Sequence, residues 1–275
     1  MRFLLFTLWL PLAFAQPQNP SPMVEHSRTH PRFKQETIAG RRENILPGTL
    51  FVPADLPKDA PLLFFFHGGS WLPEMAAAQN KMAVVTVQSN MGSSTYAAMF
   101  EDPKRFSSMV EEARSKSGMT FGRILVGGWS AGCAAIRQIL KSPESYDRID
   151  AALLIDGIHT DYQGGRPGPL ESPIVTDKLE IWLQLGRDAI AGKKGAIITH
   201  SEIFPGTFAS TTETADYIVK QLKVTRKPVL EWGPMGTQQL SEARVGRFLL
   251  IGYAGNSAPD HVDQLYSLSE YLKWM

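Results

Sequence analysis

The pentapeptide Gly128-Trp129-Ser130-Ala131-Gly132 sets a serine between glycines two residues before and two residues after it. A serine hydroxyl serves as a nucleophile when a sharp strand-to-helix turn lifts it clear of a sheet, and such a turn crowds the positions two residues to either side. With 23 glycines among 275 residues, the pentapeptide alone arises by chance in roughly one chain in seven, so its flanks decide. Arg123-Ile124-Leu125-Val126-Gly127 before it is a short β-type run, and Ala131 to Leu140 after it has helical character that ends near Pro143. Ser130 is thus expected on a strand-to-helix turn, near the positive end of the helix. Cys133 reads as small packing beneath that turn.

Two further features fit acyl transfer. Leu62-Leu63-Phe64-Phe65-Phe66 runs straight into His67-Gly68-Gly69-Ser70-Trp71, a buried strand followed by a glycine turn whose backbone N–H groups can approach a carbonyl oxygen closely. His261 follows the run Phe248 to Gly252 and opens the final helical stretch. A histidine there could take the Ser130 proton during attack and return it to the leaving group. Two carboxylates stand just after β-type runs: Asp156, followed by Gly157, and Glu202. Either could orient the histidine. Asp260 and Asp263 flank His261 in sequence and favour the helix start. A metal site from His159, Asp161 and His200 matches no known ligand spacing.

The glycine loop upstream and the serine pentapeptide downstream resemble the α/β-hydrolase superfamily, and in particular its esterases and lipases with an HGG-type loop. The resemblance runs from about Thr49 to the C-terminus. It implies that the oxyanion donors are the N–H of Ala131 and that of Gly69 or Ser70. Ser70 stands where the HGGG form of the loop has its last glycine, which leaves those two open. It also implies that His67 shapes the loop, that His261 is the base, and that no cofactor is used. Most of the family carries its acid after the later strand, as Glu202 does, and some lipases after the earlier one, as Asp156 does.

The elements that must position these residues alternate. Strands are expected at Thr49–Val52, Leu62–Phe66, Met82–Gln88, Arg123–Val126, Ala151–Asp156, Gly195–Thr199 and Arg247–Gly252. Helices are expected at Pro103–Ser117, Ala131–Lys141, Asp177–Ala191, Thr211–Leu222 and His261–Trp274. Alternation of this kind predicts an α/β fold with a mostly parallel central sheet flanked by helices, whose ligands bind beyond the carboxyl ends of the strands. The Gly- and Pro-rich connection 159–176 is a candidate specificity loop, too short for a separate lid domain. Trp71, Trp129 and Tyr162 are candidate substrate contacts at the same end of the sheet, with Trp232 close by.

Composition narrows the class. With 43% hydrophobic and 20% charged residues, the chain suits one large domain with a sizeable core. A formal charge of +1 supplies no strong attraction for nucleic acid or anionic lipid, and a small-molecule or carbohydrate ester is the easier substrate. The single cysteine excludes an internal disulfide framework. Met1-Arg2, an apolar stretch and Ala13-Phe14-Ala15 read as a signal peptide cleaved after Ala15, shorter than the roughly 20 residues that span a bilayer, leaving no stable membrane anchor. The expected organisation is therefore a signal peptide, 1–15, a polar Pro-rich arm, 16–45, and a catalytic domain, 46–275, exported to periplasm or medium. The expected activity is ester hydrolysis through an acyl-enzyme. A peptidase, amidase or lactone hydrolase on the same scaffold, and a non-catalytic binding protein, are the alternatives.

Overall fold

An apolar residue at each of five consecutive positions, as in Leu62–Phe66, calls for a strand covered on both faces. The computed structural model, which describes residues 32–89, 92–165 and 173–275, has such a strand near the centre of a ten-stranded sheet. In chain order the strands are β1 (Gly40–Ile45), β2 (Gly48–Pro53), β3 (Leu62–Phe66), β4 (Ala83–Val87), β5 (Ile124–Trp129), β6 (Ala151–Ile155), β7 (Gly195–His200), β8 (Lys227–Trp232), β9 (Gln238–Val245) and β10 (Phe248–Tyr253). The helices are α1 (Trp71–Gln79), α2 (Ser93–Ala98), α3 (Arg105–Ser117), α4 (Cys133–Leu140), α5 (Pro143–Arg148), α6 (Glu180–Ile190), α7 (Thr211–Leu222), α8 (Ala258–Tyr266) and α9 (Leu268–Leu272).

Across the sheet the strands run β1-β2-β4-β3-β5-β6-β7-β10-β9-β8. The six central strands, β4 to β10 in that order, pair in parallel, and antiparallel strands close both edges. Alternation of side chains divides the core in two. Leu62, Phe64 and Phe66 of β3 join one cluster with residues of α3, α4, α6 and α7. Leu63 and Phe65 join the other, against α1, α8 and α9. Each such side chain, fully buried, contributes roughly 1.5–3 kcal/mol. This is the expected α/β architecture.

The structure departs from the sequence expectations at the sheet edges and in three helices absent from them, α1, α2 and α5. Gly40–Ile45, expected in the arm, is the outermost strand, paired antiparallel with Gly48–Pro53. Its charged residues Arg41, Arg42 and Glu43 hide it from a hydropathy reading, because an edge strand needs only backbone pairing on one side. The arm also reaches back across the molecule: Arg32 Nε donates to Asp263 Oδ1 at 2.8 Å, and Arg32 Nη2 to Pro259 O at 2.9 Å. Asp263 therefore serves a long-range ion pair rather than the helix start, while the Asp260 carboxylate does cap α8, accepting from the Ser257 N–H and hydroxyl. The expected single helix 261–274 is two, broken at Ser267, whose hydroxyl bonds back to Asp263 O. The expected signal peptide and the arm up to residue 31 lie outside the described residues, as does the centre of the 159–176 connection. Among the described residues, no helix is long and apolar enough to cross a membrane.

Candidate active site

Strand β5 delivers Ser130 at the carboxyl end of the sheet, and a single 3₁₀ turn, Ser130–Gly132, leads into α4. Ser130 has φ 50°, a left-handed conformation that a non-glycine residue holds only where the surroundings enforce it. Two glycines make room. A Cβ on Gly132 would lie 2.0 Å from Phe66 O and 2.9 Å from His67 Cβ, so this residue lets the turn press directly against the segment carrying Gly69 and Ser70. A Cβ on Gly157 would lie 2.4 Å from Ser130 O and 2.5 Å from Cys133 Sγ. Gly157 thus supports the serine from the neighbouring strand, a role that adjacency of β5 and β6 creates and sequence order conceals. Gly157→Ala is expected to destabilise the fold by about 1–3 kcal/mol, measured by urea unfolding. It should also lower turnover by about a hundredfold, because a displacement of the order of 1 Å is enough.

Asp156 follows β6, itself at φ 43°, and its side chain is buried. His261 Nδ1 lies 2.7 Å from Asp156 Oδ2. The same carboxylate accepts from Ser201 Oγ at 2.7 Å, from the Ser201 N–H at 2.9 Å and from Thr211 Oγ1 at 2.6 Å. Burial pushes its pKa up, but the hydrogen bond and charge of His261, with the Thr211 and Ser201 bonds, outweigh it and bring the value down to about 2. Four donors surround an acceptor-only group, which suits the ionised form alone. Glu202 is exposed, and its nearest tie is to the loop before α8: its N–H donates to Gly255 O at 2.9 Å. The structure brings Asp156, not Glu202, to His261.

His261 is fixed from other sides as well. Trp129 Nε1 donates to His261 O at 3.1 Å, and its ring tilts onto the imidazole with centroids 4.6 Å apart. Trp129 also stacks on His67, with centroids 5.0 Å apart. His67 Nδ1 reaches Tyr96 Oη at 3.1 Å, and that buried hydroxyl is held by Ser89 N–H and O. Burial first and the nearby His261 second lower the His67 pKa, in keeping with a neutral loop-shaping residue. Thr199 Oγ1 bonds Gln264 Oε1 at 2.6 Å, tying β7 to α8 one turn beyond His261. Ser201, Thr211 and Gln264 are site residues that sequence reasoning missed.

Two cavities meet at Ser130. One, about 310 Å³, is lined by Ser130, Ala131, Ala134, Arg137, His159 and Trp182 with neighbours. The other, about 270 Å³, is lined by Ser130, Asp156, Ile203, Phe208, Ala258 and His261 with neighbours. None of the three aromatic candidates is among the lining residues. Trp129 packs on both His67 and His261, and Trp71 packs on Tyr266 with centroids 5.9 Å apart. Tyr162 is buried and donates to Glu213 Oε2 at 2.8 Å. Each of these rings has a packing or hydrogen-bonding partner within the fold. Trp232 lies exposed on β8 at the sheet edge.

The Cys133 thiol is buried and donates to Gly128 O at 3.3 Å. Burial, with the Asp156 charge beside it, raises its pKa, which disfavours the thiolate and suits a packing role. His159, Asp161 and His200 do not converge: Asp161 pairs with Lys178 and His200 Nδ1 contacts Thr212 Oγ1. Among the described residues no three metal-ligating side chains are grouped.

No protein-family model matches the chain, and no curated protein matches it in sequence. Solved structures do match. An ester-hydrolase from the metagenome of Lake Arreo, complexed with a bipyridine phosphonate derivative, covers 88% of this chain and 86% of its own at 13% identity and a TM-score of 0.51. A poly(3-hydroxybutyrate) depolymerase from Bordetella parapertussis covers 86% and 91% at 13% identity, also with a TM-score of 0.51. The fold is that of the α/β-hydrolases. Within it, Ser130, Asp156 and His261 all stand beyond the carboxyl ends of strands β5, β6 and β10, where a parallel sheet presents its ligands.

Proposed function

We propose that this protein is an exported serine hydrolase that cleaves a carboxylic ester through Ser130, His261 and Asp156. The observation that carries the proposal is the 2.7 Å contact between His261 Nδ1 and a buried, ionised Asp156, with Ser130 and His261 facing the same cavity. An Nδ1–H donated to Asp156 leaves Nε2 with a free lone pair, which is the form of imidazole that accepts a proton from a serine hydroxyl. Ser130 Oγ then attacks the ester carbonyl. The N–H of Ala131, together with that of Gly69 or Ser70, stabilises the oxyanion. His261 returns the proton to the departing alcohol, and water, deprotonated in the same way, releases the acyl group.

The two structural neighbours, an ester-hydrolase and a poly(3-hydroxybutyrate) depolymerase, favour an ester over an amide. Export rests on the N-terminal apolar stretch that ends in Ala13-Phe14-Ala15. A fluorophosphonate probe tests the chemistry: wild type should be labelled on Ser130, with ester turnover lost in step, and nitrophenyl esters should outrun matched anilides. A well-folded wild type that takes up no probe refutes the nucleophile. Faster cleavage of the anilides refutes the bond class.

A further inference from the structure

Resting on the hydrolase proposal above, we infer that the larger cavity is an acyl subsite for a chain that ends in a carboxylate, and that Arg137 is its counter-ion. The leaving alcohol must sit within hydrogen-bond reach of the base. His261 lines only the 270 Å³ cavity, whose other walls include Ile203, Pro205 and Ala258, so the alcohol belongs there. The acyl chain then takes the 310 Å³ cavity, which Ala131 lines beside Ser130.

That cavity is charged at its far wall. Ser130, Ala134 and Arg137 fall at spacings of four and three residues, one face of the turn and helix that begin at the nucleophile, and all three line it. Arg137 stands roughly 10 Å along the helix from Ser130 at about 1.5 Å per residue. Helix side chains lean back toward the N-terminus; Arg137 lines this cavity, and Ala134 between it and Ser130 is small enough to leave room. Arg137 Nε is buried without a hydrogen-bond partner. A buried guanidinium nitrogen left unsatisfied is costly, and a carboxylate is the group that fits its planar fork. Lys178, also on this wall, is already engaged by Asp161. Among the described residues the wall thus carries two cations, Arg137 and Lys178, against one carboxylate, Asp161, whose charge also acts on Arg137. Trp182 and Phe208 supply apolar surface for intervening methylenes. His159 adds a second buried nitrogen, Nδ1, without a partner.

The test compares the mono-p-nitrophenyl ester of adipic acid with p-nitrophenyl hexanoate, which has the same chain length and no terminal charge. Wild type should show a kcat/KM ratio favouring the adipate ester by about tenfold or more, as a charge-assisted contact allows. The ratio should shrink as salt is raised, collapse toward one in Arg137→Gln, and recover in part in Arg137→Lys. A wild-type ratio at or below one, with hexanoate still cleaved, overturns the anionic subsite and leaves the hydrolase standing. An unchanged ratio in Arg137→Gln does the same. If neither ester turns over, the hydrolase proposal has failed, and adipate dianion still decides the site: it should raise the Tm of wild type and not of Arg137→Gln, and equal shifts in both overturn it.

Discussion

Ser130→Ala is expected to lower kcat for ester hydrolysis by about a million-fold, to the level that oxyanion donors and binding alone sustain. The change removes one oxygen at the junction of two cavities and takes nothing from either half of the core. The left-handed backbone at Ser130 is strained for alanine as it is for serine, so unfolding in urea should shift little. The pairing of a near-total kinetic loss with an intact fold separates a nucleophile from a residue that merely shapes the turn. Loss of activity by less than about tenfold, in a variant that folds normally, removes Ser130 from the mechanism. Loss of both activity and stability points to the turn itself, and labelling of wild type by the fluorophosphonate probe then decides.

How far the sequence discloses this site depends on what each residue's neighbours are. The central strands were legible because burial on both faces demands unbroken apolar runs, as in Leu62–Phe66 and Ala151–Ile155. Strands β1, β8 and β9 were not, since the antiparallel edges need no apolar run and read as GRRENI or KPVLEW. Ser130 and His261 declared themselves through a strand before, a helix after and their order in the chain. The choice between Asp156 and Glu202 did not, because both follow strand ends, and only the packing of α8 over β6 brings one of them to the imidazole. Ser201 and Thr211, which complete the carboxylate's shell, look in sequence like an ordinary loop serine and the start of a helix. Arg137 looks like the solvated face of an amphipathic helix. Its unsatisfied nitrogen exists only once the cavity does.

Asp156→Asn should cost about ten-thousandfold in kcat, whereas Glu202→Gln should stay within about twofold of wild type. The carboxylate accepts four hydrogen bonds, two on each oxygen. An amide must turn a donating NH₂ toward either Ser201 N–H and Thr211 Oγ1 or Ser201 Oγ and His261 Nδ1. In the second arrangement the imidazole is driven to carry its proton on Nε2 and can no longer accept one from Ser130. In the first, an N–H meets a backbone N–H in a buried site, at a cost of about 1–3 kcal/mol. The same shell predicts an acid dependence of folding. With a folded pKa of about 2 against an ordinary value of 3.8, the unfolded chain binds this proton more readily. The stabilisation is therefore fully present above about pH 4 and is lost as pH falls toward 2, a swing on the order of 2 kcal/mol. Urea unfolding of wild type at pH 7 and pH 3 should show part of that loss, and Asp156→Asn, with nothing to titrate there, should show a flatter profile over the same interval. If Glu202→Gln proves the more damaging to kcat, or if the Asn variant keeps the full acid slope, the orienting acid lies elsewhere.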